Sequence, residues 1–194
     1  MPHLFDTLIR CVLLIDGSGA AARMADVAIR DGRIARIDDA AAIDPDTASH
    51  VVEGHGLVLS PGFIDVHTHD DTNVVRDPAM TPKISQGVTT VVVGNCGISA
   101  APVTLPGDPP DPMNLLGRAD AFCYPDFKTY VDAVNAAQPS VNVAALVGHT
   151  ALRSNHMDRF DRAATADEIA AMRAQLEEAL AHGALGLSTG LAYA

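Results

Sequence analysis

The sequence of 194 residues is poor in cysteine, aromatic residues and cationic residues. It has three cysteines, no tryptophan, and 13 lysine and arginine residues against 24 aspartate and glutamate residues, for a net charge of −11. Three widely spaced cysteines do not make a disulfide framework and suit a reducing compartment, so we expect a cytoplasmic protein. The net negative charge repels a phosphate backbone, which argues against nucleic acid as a partner.

Long apolar runs are also missing. The longest one near the N-terminus, residues 11–15, is flanked by Arg10 and Asp16. A membrane-spanning helix needs about 20 apolar residues and a signal peptide needs a sustained apolar core, so neither is expected. The remaining composition, 48% apolar and 19% charged, is typical of a folded globular chain.

Residues 1–60 are predicted to form short strands and turns. Strand patterns cover residues 8–15, 26–30, 33–37 and 50–59. The Asp31-Gly32 pair lies between two alternating segments, which is a strong hairpin signal. We therefore predict a small antiparallel β domain in this part of the chain.

From residue 61 onward, strand patterns alternate with helical ones. Strands are predicted at 62–69, 88–94, 141–147 and 184–187, and helices at 78–86, 127–137 and 166–182. Such alternation predicts a parallel sheet with right-handed crossovers, so residues 61–194 are expected to form an α/β domain. The proline-rich residues 101–124 are predicted to be a long loop.

The last predicted helix has the clearest boundaries. Thr165 and Glu168 have the spacing of a capping box, and Gly183 follows the helix as a terminal glycine. Its apolar stripe is formed by Ile169, Met172, Leu176 and Leu180.

His67-Thr68-His69 is the first motif with chemical potential. Side chains two apart on a strand point the same way, so both imidazoles are expected on one face at a strand's C-terminal end. Two neutral imidazoles suit a divalent metal such as zinc, and Asp65 is placed to orient one of them. The alternative is a chance pair of histidines. Their position favours a metal site, because parallel α/β folds place functional residues at strand C-termini.

Cys96 is the second candidate, in the segment Gly94-Asn95-Cys96-Gly97 just after the apolar strand at residues 88–94. The flanking glycines let the backbone bend, and a parallel neighbouring strand ends at the same edge of the sheet. A thiolate is a strong zinc ligand. The alternative is a small buried apolar cysteine, which is the interpretation adopted for Cys11 and Cys123.

Three further residues follow predicted strands. His149 follows the strand at 141–147, while Ser188 and Tyr193 follow the last one. Each is a candidate for substrate contact, and an ordinary polar residue in a loop is an equally acceptable interpretation.

Together these segments resemble the N-acyl-D-amino-acid deacylase (D-aminoacylase) family of the amidohydrolase superfamily. The resemblance rests on residues 60–71, 82–90, 93–97, 148–153 and 186–191. It implies a zinc-dependent (β/α)8 barrel with a small β-sandwich, here the sandwich part at 1–60 and the first four β/α units at 61–194. It implies hydrolysis of N-acyl-D-amino acids to a carboxylate and a D-amino acid, with His67, His69 and Cys96 as zinc ligands and Tyr193 near the substrate.

The sequence departs from the family in length. A barrel of this type takes about 250 residues, and residues 61–194 supply only about half of that. The family's later metal histidines, its catalytic aspartate and its substrate-binding arginine have no counterpart, so we expect the aspartate beyond Ala194. We therefore expect an N-terminal fragment, inactive alone, with an open barrel edge prone to association. The alternatives are hydrolysis of a cyclic amide or dipeptide, as in hydantoinases and dihydroorotases, and a non-catalytic half-barrel that pairs with another chain.

Overall fold

The computed structural model describes residues 3–105 and 107–192. Its chain divides into two compact units, Met1–Pro61 and Gly62–Ala194. Within the described residues, no helix is both long enough and apolar enough to cross a membrane.

The first unit is a five-stranded sheet. Its strands are β1 (Phe5–Leu14), β2 (Arg23–Arg30), β3 (Arg33–Asp39), β4 (Ala48–Glu53) and β5 (Val58–Leu59). The order is β3-β2-β1-β4, with β5 also beside β1. The predicted hairpin is confirmed, since β2 and β3 pair antiparallel around Asp31 and Gly32.

The antiparallel prediction is also confirmed for β1 and β2 and is wrong for β4 and β5. Both β4 and β5 run parallel to β1, with Phe5 opposite Ala48 and Arg10 opposite Glu53. The segment between β3 and β4 crosses both β2 and β1, so β4 lies on the side of β1 opposite to β2. The strand predicted at residues 50–59 is also divided, by a turn in which the N–H of Leu57 donates to the carbonyl of Gly54 at 2.8 Å. A Cβ at Gly54 would lie 2.2 Å from Cγ1 of Val12, so the close approach to β1 requires glycine there.

A buried carboxylate holds an irregularity in β1. The pairing register with β2 shifts between Ile9 and Val12, and Cys11 adopts a left-handed φ of 53°. Asp26 is fully buried, and its carboxylate accepts hydrogen bonds from the backbone N–H groups of Cys11 at 2.9 Å and Ile43 at 3.1 Å. The buried side chain therefore satisfies the N–H groups that leave the strand ladder.

The second unit confirms the predicted alternation of parallel strands and helices. Its strands are β6 (Phe63–Asp65), β7 (Val88–Val93), β8 (Val103–Thr104), β9 (Cys123–Tyr124), β10 (Asn142–Ala145), β11 (Val147–Gly148) and β12 (Leu187–Ser188). Its helices are α1 (Asn73–Arg76), α2 (Thr81–Ile84), α3 (Phe127–Ala137), α4 (His149–His156) and α5 (Ala166–Ala181). The parallel strands lie in the order β10-β7-β6, while β11 pairs parallel with β12.

The helix boundaries follow their caps. Asp126 accepts a hydrogen bond from the backbone of Thr129 at the start of α3, and Gln138 ends that helix in a left-handed conformation before Pro139. The predicted capping box of α5 is present. The apolar stripe of α5 is buried only in part, because Met172 is buried whereas Ile169 and Leu180 are exposed.

The predicted long loop has its own packed structure. Within it, β8 and β9 pair antiparallel, and two 3-10 turns cover Met113–Leu116 and Ala119–Ala121. Val103, Met113 and Phe122 are buried in the core that also holds Val91 and Val93 of β7. At the edge of the sheet formed by β6, apolar side chains in and just after the strand are exposed. The exposed fraction is 61% for Ile64 and 67% for Val66. Association through this edge stays a prediction.

Candidate metal centre

His67 and His69 lie just after β6. The strand ends at Asp65, four residues earlier than predicted, and the Thr68 backbone N–H donates to the carbonyl of Val92 at 3.4 Å. The two imidazole rings have centroids 5.8 Å apart and stand nearly perpendicular. The histidines therefore lie together beside the end of β7, although they are not part of a regular strand.

Cys96 lies in the turn that follows β7. Gly94, Cys96 and Gly97 all have left-handed φ angles, of 78°, 57° and 79°. A Cβ at Gly94 would lie 2.1 Å from the carbonyl oxygen of Leu146, so the close approach of two backbones requires glycine there. The turn brings Sγ of Cys96 to 3.0 Å from Nε2 of His67.

The side chains of His67, His69 and Cys96 fit a zinc ion. One donor atom from each lies within 4.8 Å of the other two. Nδ1 of His69 is buried and has no hydrogen-bond partner in the described structure. Because buried polar atoms are normally bonded, this nitrogen fits a position next to a metal. Burial, and then the nearby His67, lower the pKa of His69, so its imidazole stays neutral and able to donate a lone pair. Two imidazoles and a thiolate are common zinc ligands.

Asp65 is held by a lysine. Its Oδ1 accepts from the backbone N–H of His67 at 3.2 Å, and its Oδ2 lies 2.7 Å from Nζ of Lys83. The hydrogen bond from Lys83 lowers the pKa of Asp65. In the part of the chain that is described, Asp65 bonds to the backbone of His67 rather than to an imidazole.

Lys83 bonds to the carboxylates that precede and follow the two histidines in sequence. Besides Asp65 it contacts Oδ2 of Asp70 at 3.0 Å and Oγ1 of Thr68 at 3.1 Å. Burial opposes its charge, yet the two carboxylates raise its pKa overall, so it stays cationic. No role was predicted for Lys83 from the sequence. The available signal was its isolation, since no other lysine or arginine lies between Arg76 and Arg118.

The Cys96 turn is held by three other elements. Nδ2 of Asn95 donates to the carbonyls of Val92 at 2.7 Å and Thr68 at 3.4 Å. The hydroxyl of Ser188, in β12, donates to the carbonyl of Gly94 and accepts from the N–H of Gly97 at 3.0 Å. The proton of this hydroxyl is thus used within the protein. The substrate contact expected of Ser188 stays a prediction.

A buried carboxylate lies beneath the same turn. Asp71 is almost fully buried, and its Oδ1 accepts from the backbone N–H of Ala100 at 3.2 Å. Burial raises the pKa of Asp71 to about 6, against the opposing effect of the N–H groups of Gly94 and Ala100. Tyr130 adds a hydrogen bond to the backbone carbonyl of Asp71 at 2.8 Å. The segment after the histidines is thus anchored in the core.

His149, another predicted site residue, does not belong to the cluster of described donor residues. His149 begins α4, where burial and then Arg153 lower its pKa, and it is not one of the grouped donors among the described residues. The next residue, Thr150, donates its N–H to the carbonyl of Gly97 at 2.7 Å. The substrate role of His149 stays a prediction, and Tyr193 lies outside the described residues.

A second group of donor atoms, in the first unit, consists of Cys11, Glu53 and His55. Arg10 donates to Oε1 of Glu53 at 2.8 Å, which places a fixed positive charge at that carboxylate. This charge opposes a metal cation. Among the described residues, no lysine or arginine is paired with a donor atom of the His67 group, which is therefore the candidate metal centre.

Comparison with known proteins decides the family. The profile described as "Amidohydrolase family" matches residues 50–194. The chain belongs to the amidohydrolase family. It is 50% identical over 190 residues to the D-aminoacylase of Alcaligenes xylosoxydans xylosoxydans, an alignment that covers 97% of this chain and 38% of that protein.

Two solved structures of the family are also similar. A crystal structure of D-aminoacylase, described as defining a novel subset of amidohydrolases, superposes with a TM-score of 0.92 at 48% identity over 98% of this chain and 39% of its own. The N-acyl-D-glutamate deacylase of Bordetella bronchiseptica, complexed with zinc and a phosphonate inhibitor, gives 0.89 at 48% identity over 97% and 39%. This amidohydrolase chain therefore spans about two fifths of the length of these relatives.

Proposed function

We propose that this chain supplies the thiolate and two imidazoles of a zinc centre in an enzyme that hydrolyses N-acyl-D-amino acids to a carboxylate and a D-amino acid. The observation that carries the proposal is the convergence of His67, His69 and Cys96, with Sγ of Cys96 3.0 Å from Nε2 of His67. The similar D-aminoacylase and the zinc complex of N-acyl-D-glutamate deacylase supply the substrate class and the metal.

The residues of this chain would bind the metal and orient its ligands. His67 and His69 present nitrogens, and Cys96 presents sulfur. When bound, zinc acts as a Lewis acid toward the amide carbonyl and lowers the pKa of water. Asp65, held by Lys83, accepts from the backbone N–H of His67 and so helps to orient this histidine.

For the fold, we propose that the second unit is the first half of a (β/α)8 barrel and the first unit is part of a β-sandwich. Supporting this, β6, β7 and β10 are parallel neighbours in chain order, and β11 and β12 continue the parallel pairing. Functional residues in such barrels lie after the strands' C-terminal ends. His67 and Cys96 follow β6 and β7 in that manner.

We place the proton-transferring carboxylate outside these 194 residues, in the part of the relatives that this chain does not span. General acid–base catalysis contributes about 10²- to 10⁴-fold to the rate of such reactions. A polypeptide of only these residues is therefore expected to bind zinc without appreciable turnover.

The test uses the polypeptide isolated from its source cells, with its intact mass recorded. Amide hydrolysis is measured on matched N-acetyl-D-glutamate and N-acetyl-L-glutamate, on a neutral N-acetyl-D-amino acid, and on hydantoin and dihydroorotate. We expect hydrolysis of a D-enantiomer that is lost with a chelator and restored by zinc, if the mass exceeds that of these 194 residues.

The contrary results are specific. Hydrolysis of hydantoin or dihydroorotate in place of the acyl amides would move the enzyme to the cyclic-amide class. A native mass near 20.2 kDa together with zinc-independent hydrolysis would contradict both the metal centre and the expected inactivity of this part.

A further inference from the structure

We propose that Ser188 is a positioning residue for Cys96: its hydroxyl clasps the backbone of the Gly94–Gly97 turn and so fixes the thiol against His67 and His69. This inference rests on the proposed metal centre. It assigns Ser188 a role within the protein in place of direct contact with the substrate.

The clasp uses both functions of one hydroxyl. A serine hydroxyl has a single proton to donate and lone pairs to accept with. Ser188 donates that proton to the carbonyl of Gly94 and accepts the N–H of Gly97 at 3.0 Å. Cys96 lies between these two backbone groups, so the serine joins both ends of the turn that carries the thiol.

The turn needs such support because of its backbone conformation. Cys96 has a φ of 57°, in the left-handed region that non-glycine residues seldom adopt. Such a conformation persists only when the surrounding structure holds it. Without the clasp, the turn loses two of the hydrogen bonds that hold this conformation, and the thiol is expected to turn away from Nε2 of His67.

The two hydrogen bonds of Ser188 also depend on the position of β12 next to the turn. Gly148 of β11 is opposite Ser188 in the parallel pair, and Thr150, two residues further, donates to the carbonyl of Gly97. A Cβ at Gly97 would lie 2.8 Å from the backbone nitrogen of Gly190. The end of β12 thus packs directly on the turn, although Ser188 and Gly97 are 91 residues apart in sequence.

The experiment measures cobalt(II) as the probe metal, in the whole chain with Cys123→Ser to remove the exposed thiol. The readouts are the thiolate-to-cobalt charge-transfer absorption and the dissociation constant. Ser188→Ala is expected to weaken cobalt binding by about 10-fold or more and to reduce the thiolate band, as orienting contacts typically contribute about 10- to 100-fold to metal affinity. Ser188→Thr retains a hydroxyl and is expected to behave like the parent.

Two controls separate positioning from general stability. Thr189→Ala removes the adjacent, exposed hydroxyl and is expected to change nothing. Ser188→Val has the shape of the threonine variant without its hydroxyl, so a difference between Val and Thr isolates the hydrogen bonds even if the alanine variant folds poorly. Equal cobalt affinity and equal thiolate absorption in the Val and Thr variants would overturn the proposal.

A metal-free measurement keeps the inference distinct from the proposed function. The rate at which an aromatic disulfide reagent modifies Cys96 is compared in the same variants without metal. We expect faster modification in Ser188→Val than in Ser188→Thr, because the released turn exposes the thiol. If the parent shows no thiolate band that Cys96→Ala removes, the metal centre fails, and equal modification rates would then reject the positioning role on their own.

Discussion

Nζ of Lys83 lies 2.7 Å from Oδ2 of Asp65, whose Oδ1 accepts a hydrogen bond from the backbone N–H of His67. Both side chains are half-buried, and Asp70 accepts from the same ammonium. Removing the cation leaves two carboxylates without their partner next to the metal centre. The cost of such a loss is set by the desolvation of the charges that remain, not by the small energy of an exposed ion pair.

Lys83→Met is therefore expected to lower the free energy of unfolding by about 1.5–3 kcal/mol, the range for hydrogen bonds to charged groups. The chain has one other lysine, which provides a matched control. Lys128 forms an exposed pair with Asp132 one helical turn away, so Lys128→Met is expected to cost less than about 0.5 kcal/mol. Urea unfolding followed by circular dichroism measures both. Equal losses in the two variants would contradict the structural role of Lys83.

Cys96 is expected to be the cysteine on which zinc binding depends. Cys96→Ala removes the thiolate that lies beside His67 and should abolish zinc retention after gel filtration, measured by mass spectrometry of the metal. Cys11→Ala and Cys123→Ala alter cysteines outside the cluster and should retain zinc. Equal zinc content in all three variants would remove Cys96 from the ligand set.

Local signals predicted the elements that depend on neighbours in sequence. The Asp31-Gly32 turn specifies the β2–β3 hairpin, and Thr165 with Glu168 specifies the start of α5. In each case the hydrogen-bond partners lie within a few residues of each other. The pattern of residue types alone therefore contains the information that fixes these elements.

Partners that meet through the fold were not predictable in this way. The parallel pairing of β4 with β1 depends on a crossover, and a strand pattern does not specify its direction. The same holds in the metal centre, where Lys83 reaches Asp65 across 18 residues and Ser188 reaches Gly97 across 91. The sequence predicted which donors would converge, whereas the contacts of Lys83 and Ser188 emerged only from the structure.

The start of α5 is expected to lose stability in acid. Arg162 first, and then the backbone N–H of Thr165, lower the pKa of Glu168 to about 2 from an ordinary value of 4.5. A carboxylate with a lowered pKa in the folded state contributes stability above its unfolded pKa and loses it as the pH falls toward the folded value. The stabilisation from Glu168 should therefore be complete above about pH 4.5 and disappear toward about pH 2.

Glu168→Gln tests this dependence. The variant should be less stable than the parent at neutral pH, and the difference should shrink between pH 4.5 and 2, as measured by urea unfolding at each pH. Glu177→Gln alters an exposed residue of the same helix and serves as the control. A constant difference between parent and Glu168→Gln across that range would reject the assignment of the acid sensitivity to this residue.

Gly94 is expected to be the glycine of the site that tolerates a side chain least. Gly94→Ala places a Cβ 2.1 Å from the carbonyl oxygen of Leu146, in a backbone that is already left-handed. Gly32→Ala, in the β2–β3 hairpin, introduces the same left-handed strain with open space around the new atom. The strain alone costs about 1–2 kcal/mol, and the overlap should add about 1–3 kcal/mol only at Gly94.

Urea unfolding should therefore show a larger loss for Gly94→Ala, accompanied by weaker cobalt binding because the Cys96 turn must shift. If the two variants lose the same stability, the backbone of Leu146 does not restrict the turn, and the placement of the thiol depends on its side-chain contacts alone.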